Sequence, residues 1–595
     1  MAGKSGINTS FEKFTKEEAY FISPFFTNLD KNVFAAKYLP SEILGALASR
    51  YSRSTKGVRR LFYDEYIKPI LEPKLDPASH RRADASRGGG ATKKEIKEAE
   101  VMKAELTSFV DYLHSHGGWE AVVNSRRARD FFARWLAAYG DDSIAQMAGA
   151  HLFLENVSQI ATKTLEDFRI GFAPLEKSTR YVAFNTKMGG NWQCFIDPDL
   201  AKSVYGAEYK RLMNMLFLRY SESLEPLSKI LRKKFVQEKD QTDRAYRETI
   251  NAKAFDVLRA YLPAGTLTNV GFFGVGQAFE YVITKCLASP LWEIRELGRA
   301  AQKELMQVIP SMVNRPTTPR GKIYQKFVSK TEKALEQMAN KYLEKVSKVS
   351  QLRQGFDGQA NAGDVELCEW DDDAENRIVA SLLYKYAKGS YQGIKDQVSR
   401  LSASQKLLII KKAVENRQVR QHRLVRAFEN TYYKFDIVAN FGAYRDLHRH
   451  RMLTQERQRF TTELGFDVPP DLAAAKLEKP YIDAAEKVNR FYKKIFKKFP
   501  NQAQYVVMMG NKIRWYQWEN LRELAWEAEL RTGPQGHPDY RRIEHLKVEA
   551  VKNVHPSLVA VLKFVDFGSY DLARRESEKK IDKKLQNSFL RSSSS

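Results

Sequence analysis

The chain has 595 residues, a formal net charge of +25 and a hydrophobic fraction of 43%, with 34 Phe and 28 Tyr. That much apolar and aromatic material excludes an intrinsically disordered protein and is enough for at least two domains. The excess of Lys and Arg points to an anionic partner: a nucleotide, a phosphorylated cofactor, nucleic acid or acidic lipid, with charge alone unable to choose.

Cys194, Cys286 and Cys368 share no metal or redox spacing. They read as reduced core cysteines of a cytoplasmic protein with no metal site. No apolar run approaches the about 18 residues of a membrane span, and Met1 to Glu18 lacks an apolar signal core. Neither secretion nor a membrane is expected.

In chain order, residues 1–75 read as short helices and loops. Ser52 to Lys56 form a capped helix start, because no glycine-rich turn makes them a phosphate loop. The Arg-, Ala- and Gly-rich stretch 77–94 reads as an exposed loop. From Ser143 a long helical pattern passes through Leu152, Leu154, Val157, Ile160 and Leu165 to Gly171, then gives way to Glu176-Lys177-Ser178-Thr179-Arg180-Tyr181. Residues 200–258 read as a charged helical insertion, and Arg259 follows shortly before Pro263. Gly271, Gly274 and Gly276 lack a phosphate-loop context and read as close helix packing. Trp292 to Arg295 begins a helix, with Ser289 as cap and Pro290 in the first turn. A first unit closes near residue 350, and 351–373 is a linker whose Asp371 to Asp373 triplet is a solvated turn.

The second unit, 374–573, centres on Glu429 to Phe460. Phe435, Ile437, Phe441 and Tyr444 predict an amphipathic helix with one buried face. Arg445 and Arg449 share another face, and His450 and Arg451 arrive where the helix ends. These four basic groups make either a solvated face or a grip for phosphate or a uracil-like edge, since a guanidinium fork binds such groups in two places at once. A later helix that carries Glu529-Leu530-Arg531 stops at the turn Thr532-Gly533-Pro534, and Asp539-Tyr540-Arg541 begins the last one. The Lys-, Arg- and Ser-rich tail 574–595 reads as disordered.

The run Arg449-His450-Arg451, acidic Glu456, Arg459 and Phe460 resembles the signature of flavin-dependent thymidylate synthases (ThyX), RHRxxSxNExSxRY. Glu429 and Arg445 fall at the family's spacing upstream. Glu176, Ser178, Arg180 and Tyr181 match the other end of that signature, whereas Asp167-Phe168-Arg169 stands where Arg-His-Arg would be. The family's Glu-His pair is Glu429-Asn430 here, and Asp446 stands where Gln is common. The chain is thus similar to two fused ThyX units, each keeping what the other has lost.

The resemblance implies an α/β (α+β, helix-rich) fold, with two repeats that each combine a mixed sheet with long helices and together form a pseudo-dimer. It implies reductive methylation of deoxyuridine monophosphate with FAD, NADPH and methylenetetrahydrofolate, at a composite site between the repeats. Glu176, Ser178, Arg180, Arg259, Arg445 and Arg449 would then bind the substrate. Arg449, His450, Arg451, Asn520 and Arg522 would hold the flavin, and Arg531 would stabilise charge on the uracil. Two chains would rebuild a pseudo-tetramer as a homodimer. The alternative is a non-catalytic descendant whose basic surface binds nucleotide or nucleic acid.

Overall fold

A computed structural model describes residues 12–73, 93–115, 146–168, 170–343 and 364–592. The expected loop at 77–92, Arg169 and the linker residues 351–363 lie outside the described residues. The chain forms two compact units, the first comprising Met1–Ser178, Thr186–Asp199 and Thr266–Tyr342, the second Thr179–Asn185, Leu200–Gly265 and Leu343–Ser595. The division therefore does not follow the linear boundary expected near 350. The residues read as an insertion belong to the second unit, as the helices Gly206–Lys234 and Asp243–Leu258.

The first unit is built on β1 (Val33–Ala35), β2 (Gly149–Ser158), β3 (Phe172–Glu176) and β4 (Leu267–Val275), in the order β1-β2-β4-β3. All pairings are antiparallel, where the resemblance implied a mixed sheet. The helix expected through Leu152 and Leu154 is instead β2, and the helix Gln159–Glu166 begins only after it. Leu152 and Leu154 are two apart and share one sheet face, a period of two that a looser helical reading absorbed. Gly271 and Gly274 are strand residues rather than helix contacts. A Cβ at Gly271 would lie 2.9 Å from the Phe153 ring, and one at Gly274 2.7 Å from Phe172, so glycine gives these rings their room. Ser289 does not cap the following helix; Leu291 stands at that position, before Trp292–Leu305.

The second unit repeats the same plan with β5 (Val365–Trp370), β6 (Tyr433–Asn440), β7 (Leu453–Arg457) and β8 (Lys512–Glu519), in the order β5-β6-β8-β7. Its pairings are again antiparallel. Here too the expected amphipathic helix from Phe435 is first a strand, because Tyr433, Phe435 and Ile437 alternate with half-buried Lys434 and Asp436. The helical steps hold only from Phe441, in the short helix Phe441–Leu447. Cys368 lies exposed on β5, unlike Cys194 and Cys286, which are buried as expected.

The tail expected to be disordered contains the helix Arg575–Ser592. Its composition hid one acidic face: Glu578 and Asp582 are four apart and both reach Arg244. Among the described residues no helix is long and apolar enough to cross a membrane.

Candidate functional site

The site in the second unit starts from the end of β6. Asn440 caps the helix Phe441–Leu447, its Oδ1 accepting from Ala443 N at 2.8 Å, while its Nδ2 donates to Asp467 at 2.8 Å and Asp539 at 2.7 Å. Gly442 follows, and a Cβ there would stand 3.2 Å from Arg259 Nε, so glycine lets Arg259 lie close against this helix. The helix then delivers Arg445 and Asp446. Buried Arg445 donates to Thr179 Oγ1 at 2.9 Å.

Asp446 is the focus of the arginines. Arg259 Nη1 donates to its Oδ2 at 3.4 Å. Burial opposes ionisation of Asp446, but the fields of Arg259, Arg449, Arg180 and Arg531 outweigh it and hold the carboxyl well below the usual range. Four arginines singled out from the sequence thus act on one carboxylate. Arg180 is buried and grips Asp256 as a fork, Nε to Oδ1 and Nη2 to Oδ2, both at 2.6 Å. Its Nη1 donates to the Tyr540 hydroxyl at 3.2 Å.

Asn520 caps the helix Leu521–Arg531, accepting from Glu523 N at 2.9 Å. At the other end of that helix Arg531 Nε donates to His450 Nε2 at 2.9 Å. His450 Nε2 is therefore the acceptor, and Nδ1 carries the proton toward Glu523 Oε1 at 3.1 Å. Arg522 is anchored by Leu424 O at 2.7 Å and Glu429 at 2.9 Å.

Arg449, His450, Arg451, Arg522 and Arg531 line one cavity of about 420 Å³ together with Arg423 and Trp526. The Arg423 guanidinium lies 4.7 Å from the Trp526 ring centroid, giving a flat face beside several cationic groups. A second cavity of about 350 Å³ is lined by Arg259, Lys253, Asp256, Asn440, Asp467 and Asp539, among others. Arg259 is 3% exposed, and its Nη2 has no hydrogen-bond partner among the described residues.

Five expected residues line neither cavity: Arg180, Arg445 and Asn520, placed above, and Glu176 and Ser178. Glu176 and Ser178 belong to the first unit, where Glu176 is buried and accepts from Lys163 Nζ at 2.9 Å. The backbone N–H of Ser178 donates to Ser52 O at 3.0 Å. Sequence reasoning missed Asp256, Arg423, Trp526 and Tyr540. Trp526 did carry a signal, since it lies four residues after Arg522 on the same helix.

The doubled strand order and the arginine cavity can be set against known proteins. The family described as thymidylate synthase complementing protein matches residues 92–311 and 366–557. The chain belongs to this family. As a member of the thymidylate synthase complementing family it carries the ThyX-like unit in tandem, one matched segment for each sheet. It is similar to a UPF0159 protein of Chlamydia muridarum, 35% identical over 568 residues, covering 95% of this chain and 98% of that protein. A UPF0159 protein of Chlamydia pneumoniae is 35% identical over 567 residues, with the same coverage of 95% and 98%. One from Thermoplasma acidophilum is 31% identical over 480 residues, covering 76% of this chain and 92% of that protein. A solved UMP/dUMP methylase, PolB from Streptomyces cacaoi bound with 5-Br dUMP, aligns at 16% identity and a TM-score of 0.26, covering 34% of this chain and 95% of that one. That likeness is too slight to bear on the site.

Proposed function

We propose that the protein is a flavin-dependent thymidylate synthase that methylates deoxyuridine monophosphate, with methylenetetrahydrofolate as one-carbon donor and NADPH as reductant. The observation that carries this reading is convergence: Arg449, His450 and Arg451 of the signature, with Arg522 and Arg531 expected from the same resemblance, line one cavity of about 420 Å³. Its donor set suits FAD, because several guanidinium groups match phosphate oxygens and Trp526 offers an aromatic face. Bound there, the flavin would supply the redox chemistry. Arg449 and Arg451 would hold its anionic groups. Arg531, aimed by its bond to His450, would stabilise negative charge on the pyrimidine.

The assignment of Glu176, Ser178, Arg180, Arg259, Arg445 and Arg449 to the nucleotide belongs to the same proposal. Arg259 has the best support among them, since its buried Nη2 is a donor awaiting an acceptor. Arg180 and Arg445 are engaged by Asp256 and Thr179, and would act on the substrate only through that frame. A homodimer rebuilding a pseudo-tetramer is part of the proposal and is checked by light scattering, where a monomer would remove it.

The test is the absorbance spectrum of the purified protein with added FAD, then with deoxyuridine monophosphate, in wild type and Arg451→Ala. Bound flavin with a nucleotide-induced spectral shift, both weakened in the variant, is the expected result. Absence of flavin binding in the wild type would sink the reading. A second reading, a basic scaffold for nucleic acid, is favoured by one observation: Asp256 and Asp446 already neutralise two of the key arginines from within. It predicts salt-sensitive binding to arbitrary RNA or DNA without flavin.

A further inference from the structure

His450 Nε2 lies 3.9 Å from Glu527 Oε1, and Glu527 belongs to a second group of charges that the proposed binding roles leave unused. At its centre is Lys547, from the helix Pro538–Val554. Its Nζ stands 2.7 Å from Glu519 Oε1 and donates to Glu527 Oε2 at 3.1 Å, Glu544 Oε1 at 3.4 Å and Gln517 Oε1 at 3.2 Å. All four ionisable side chains are wholly shielded from solvent. The Phe435 ring closes another side, 5.4 Å from Nζ.

Three carboxylates against one ammonium would leave net negative charge in a dry interior, which is strongly unfavourable. Protonation removes the excess. Glu519 Oε2 and Glu544 Oε2 meet no hydrogen-bond donor among the described residues, a poor setting for an anion and an ordinary one for a carboxylic acid. Burial, aided by the neighbouring Glu527, pushes Glu544 up to about 8. Burial likewise raises Glu519 well above its usual value. Glu527 goes the other way: burial opposes its ionisation, but the Lys547 ammonium and the nearby Arg531 outweigh that and hold it low. Glu523 and Arg531 are the remaining charged groups that face His450. The proton-poor member therefore stands next to the cavity-lining histidine, and the proton-rich members stand beyond Lys547.

We infer that Glu519, Glu544 and Lys547 form a buried proton store that exchanges with the arginine-lined cavity through Glu527 and His450. A proton held on Glu544 crosses by exchange at the Lys547 ammonium to the Glu527 carboxylate. From Glu527 it passes to His450 Nε2, which gives up its bond from Arg531, and so to the cavity, leaving the emptied Glu544 carboxylate able to take a proton back. The reverse sequence returns it, and no electron moves. The inference rests on the proposed function only in taking that cavity as the place where chemistry occurs. Once one of its carboxyls has given up its proton, such a store would accept the proton that must leave a pyrimidine carbon when it is alkylated.

The experiment is infrared spectroscopy of the full chain, following the C=O stretch of buried carboxylic acids between pH 6 and pH 9 and its shift when D₂O replaces water. Wild type should show a protonated-carboxyl band that titrates with a midpoint near 8, the value to which Glu544 is pushed. Glu544→Gln should lose that component. Glu527→Gln should keep the band but slow its exchange with D₂O at least about tenfold, since one tenfold step is the ordinary unit of a lost interaction. A purely structural cluster would leave the exchange rate unchanged. No protonated band at pH 7 in wild type, or equal exchange rates in wild type and Glu527→Gln, would overturn the inference. Flavin absorbance on the same samples separates the two ideas, because an intact band without flavin removes only the proposed cofactor.

Discussion

The two units put different things after the second strand of the same sheet. In the first, Ser158 caps the helix Gln159–Glu166 and donates twice to the Glu293 carboxylate, at 2.6 Å from Oγ and 2.8 Å from N. Five residues beyond that cap is Lys163, buried between Glu166 and Glu176. In the second, Asn440 is the cap, and five residues beyond it is Arg445, followed at once by Asp446 and then by the arginine-lined cavity. The interior of the first unit is filled by rings, with Phe172 stacked on Phe272 at 4.4 Å and set against Phe279 at 5.2 Å. The void lined by these rings measures about 10 Å³, against about 420 Å³ for the polar cavity of the second unit. One copy of the plan has been closed by packing and buried ion pairs, and the other has stayed open and basic.

The largest expected effect concerns a charge in the open copy that already has a partner. Arg180→Met leaves Asp256 buried without a counter-ion and should cost about 3–5 kcal/mol in urea unfolding, while Arg180→Met with Asp256→Leu recovers most of it. If the single variant were as stable as wild type, Arg180 would be free for a ligand and the frame argument would fail. The same pair sets an acid limit. Burial works against ionised Asp256, but Arg180 more than offsets it, so the folded-state pKa is depressed. Its contribution is complete above the ordinary carboxylate range near 4 and is lost as pH falls through the depressed value. Stability measured down from pH 5 should therefore fall more steeply in wild type than in the double variant.

The closed copy is probed by Gly271→Ala. The added Cβ would press on Phe153 at 2.9 Å, and overpacking of this kind should cost about 1–3 kcal/mol. An unchanged denaturation midpoint would show that the first unit is looser than its ring packing implies. Arg451→Ala makes the opposite contrast: Arg451 is exposed at the cavity, so stability should change by less than about 0.5 kcal/mol, while FAD affinity drops about tenfold through loss of a charge-assisted bond. Calorimetric titration of both quantities on one sample decides between a binding and a packing role. Smallest of all, Asn520→Ala removes one helix cap and should cost about 1 kcal/mol, with a matching fall in the thermal midpoint.

Much of the open site was legible as residue types at fixed spacings. Arg449, His450 and Arg451 are consecutive, and Arg522 and Arg531 sit on one helix, so their convergence needed little long-range information. The strands β2 and β6 were not legible, because each runs directly into a helix at Ser158 and Asn440, and one apolar pattern spans both elements. A period of two merging into a period of 3.6 looks helical when read across the junction.

The sequence by itself determined the duplication of the unit, the arginine-rich character of the second copy, and the helix limit marked by Gly533-Pro534. Local chemistry controls those features, and neighbours in the chain report them. Only the tertiary structure decided which carboxylate each arginine meets. Asp256 holds Arg180 across 76 positions, and Asp446 holds Arg259 across 187. It also gathered Glu519, Glu527, Glu544 and Lys547 from three elements into one dry cluster. Electrostatic partners act through space in a low-dielectric interior, and sequence separation carries no record of that distance.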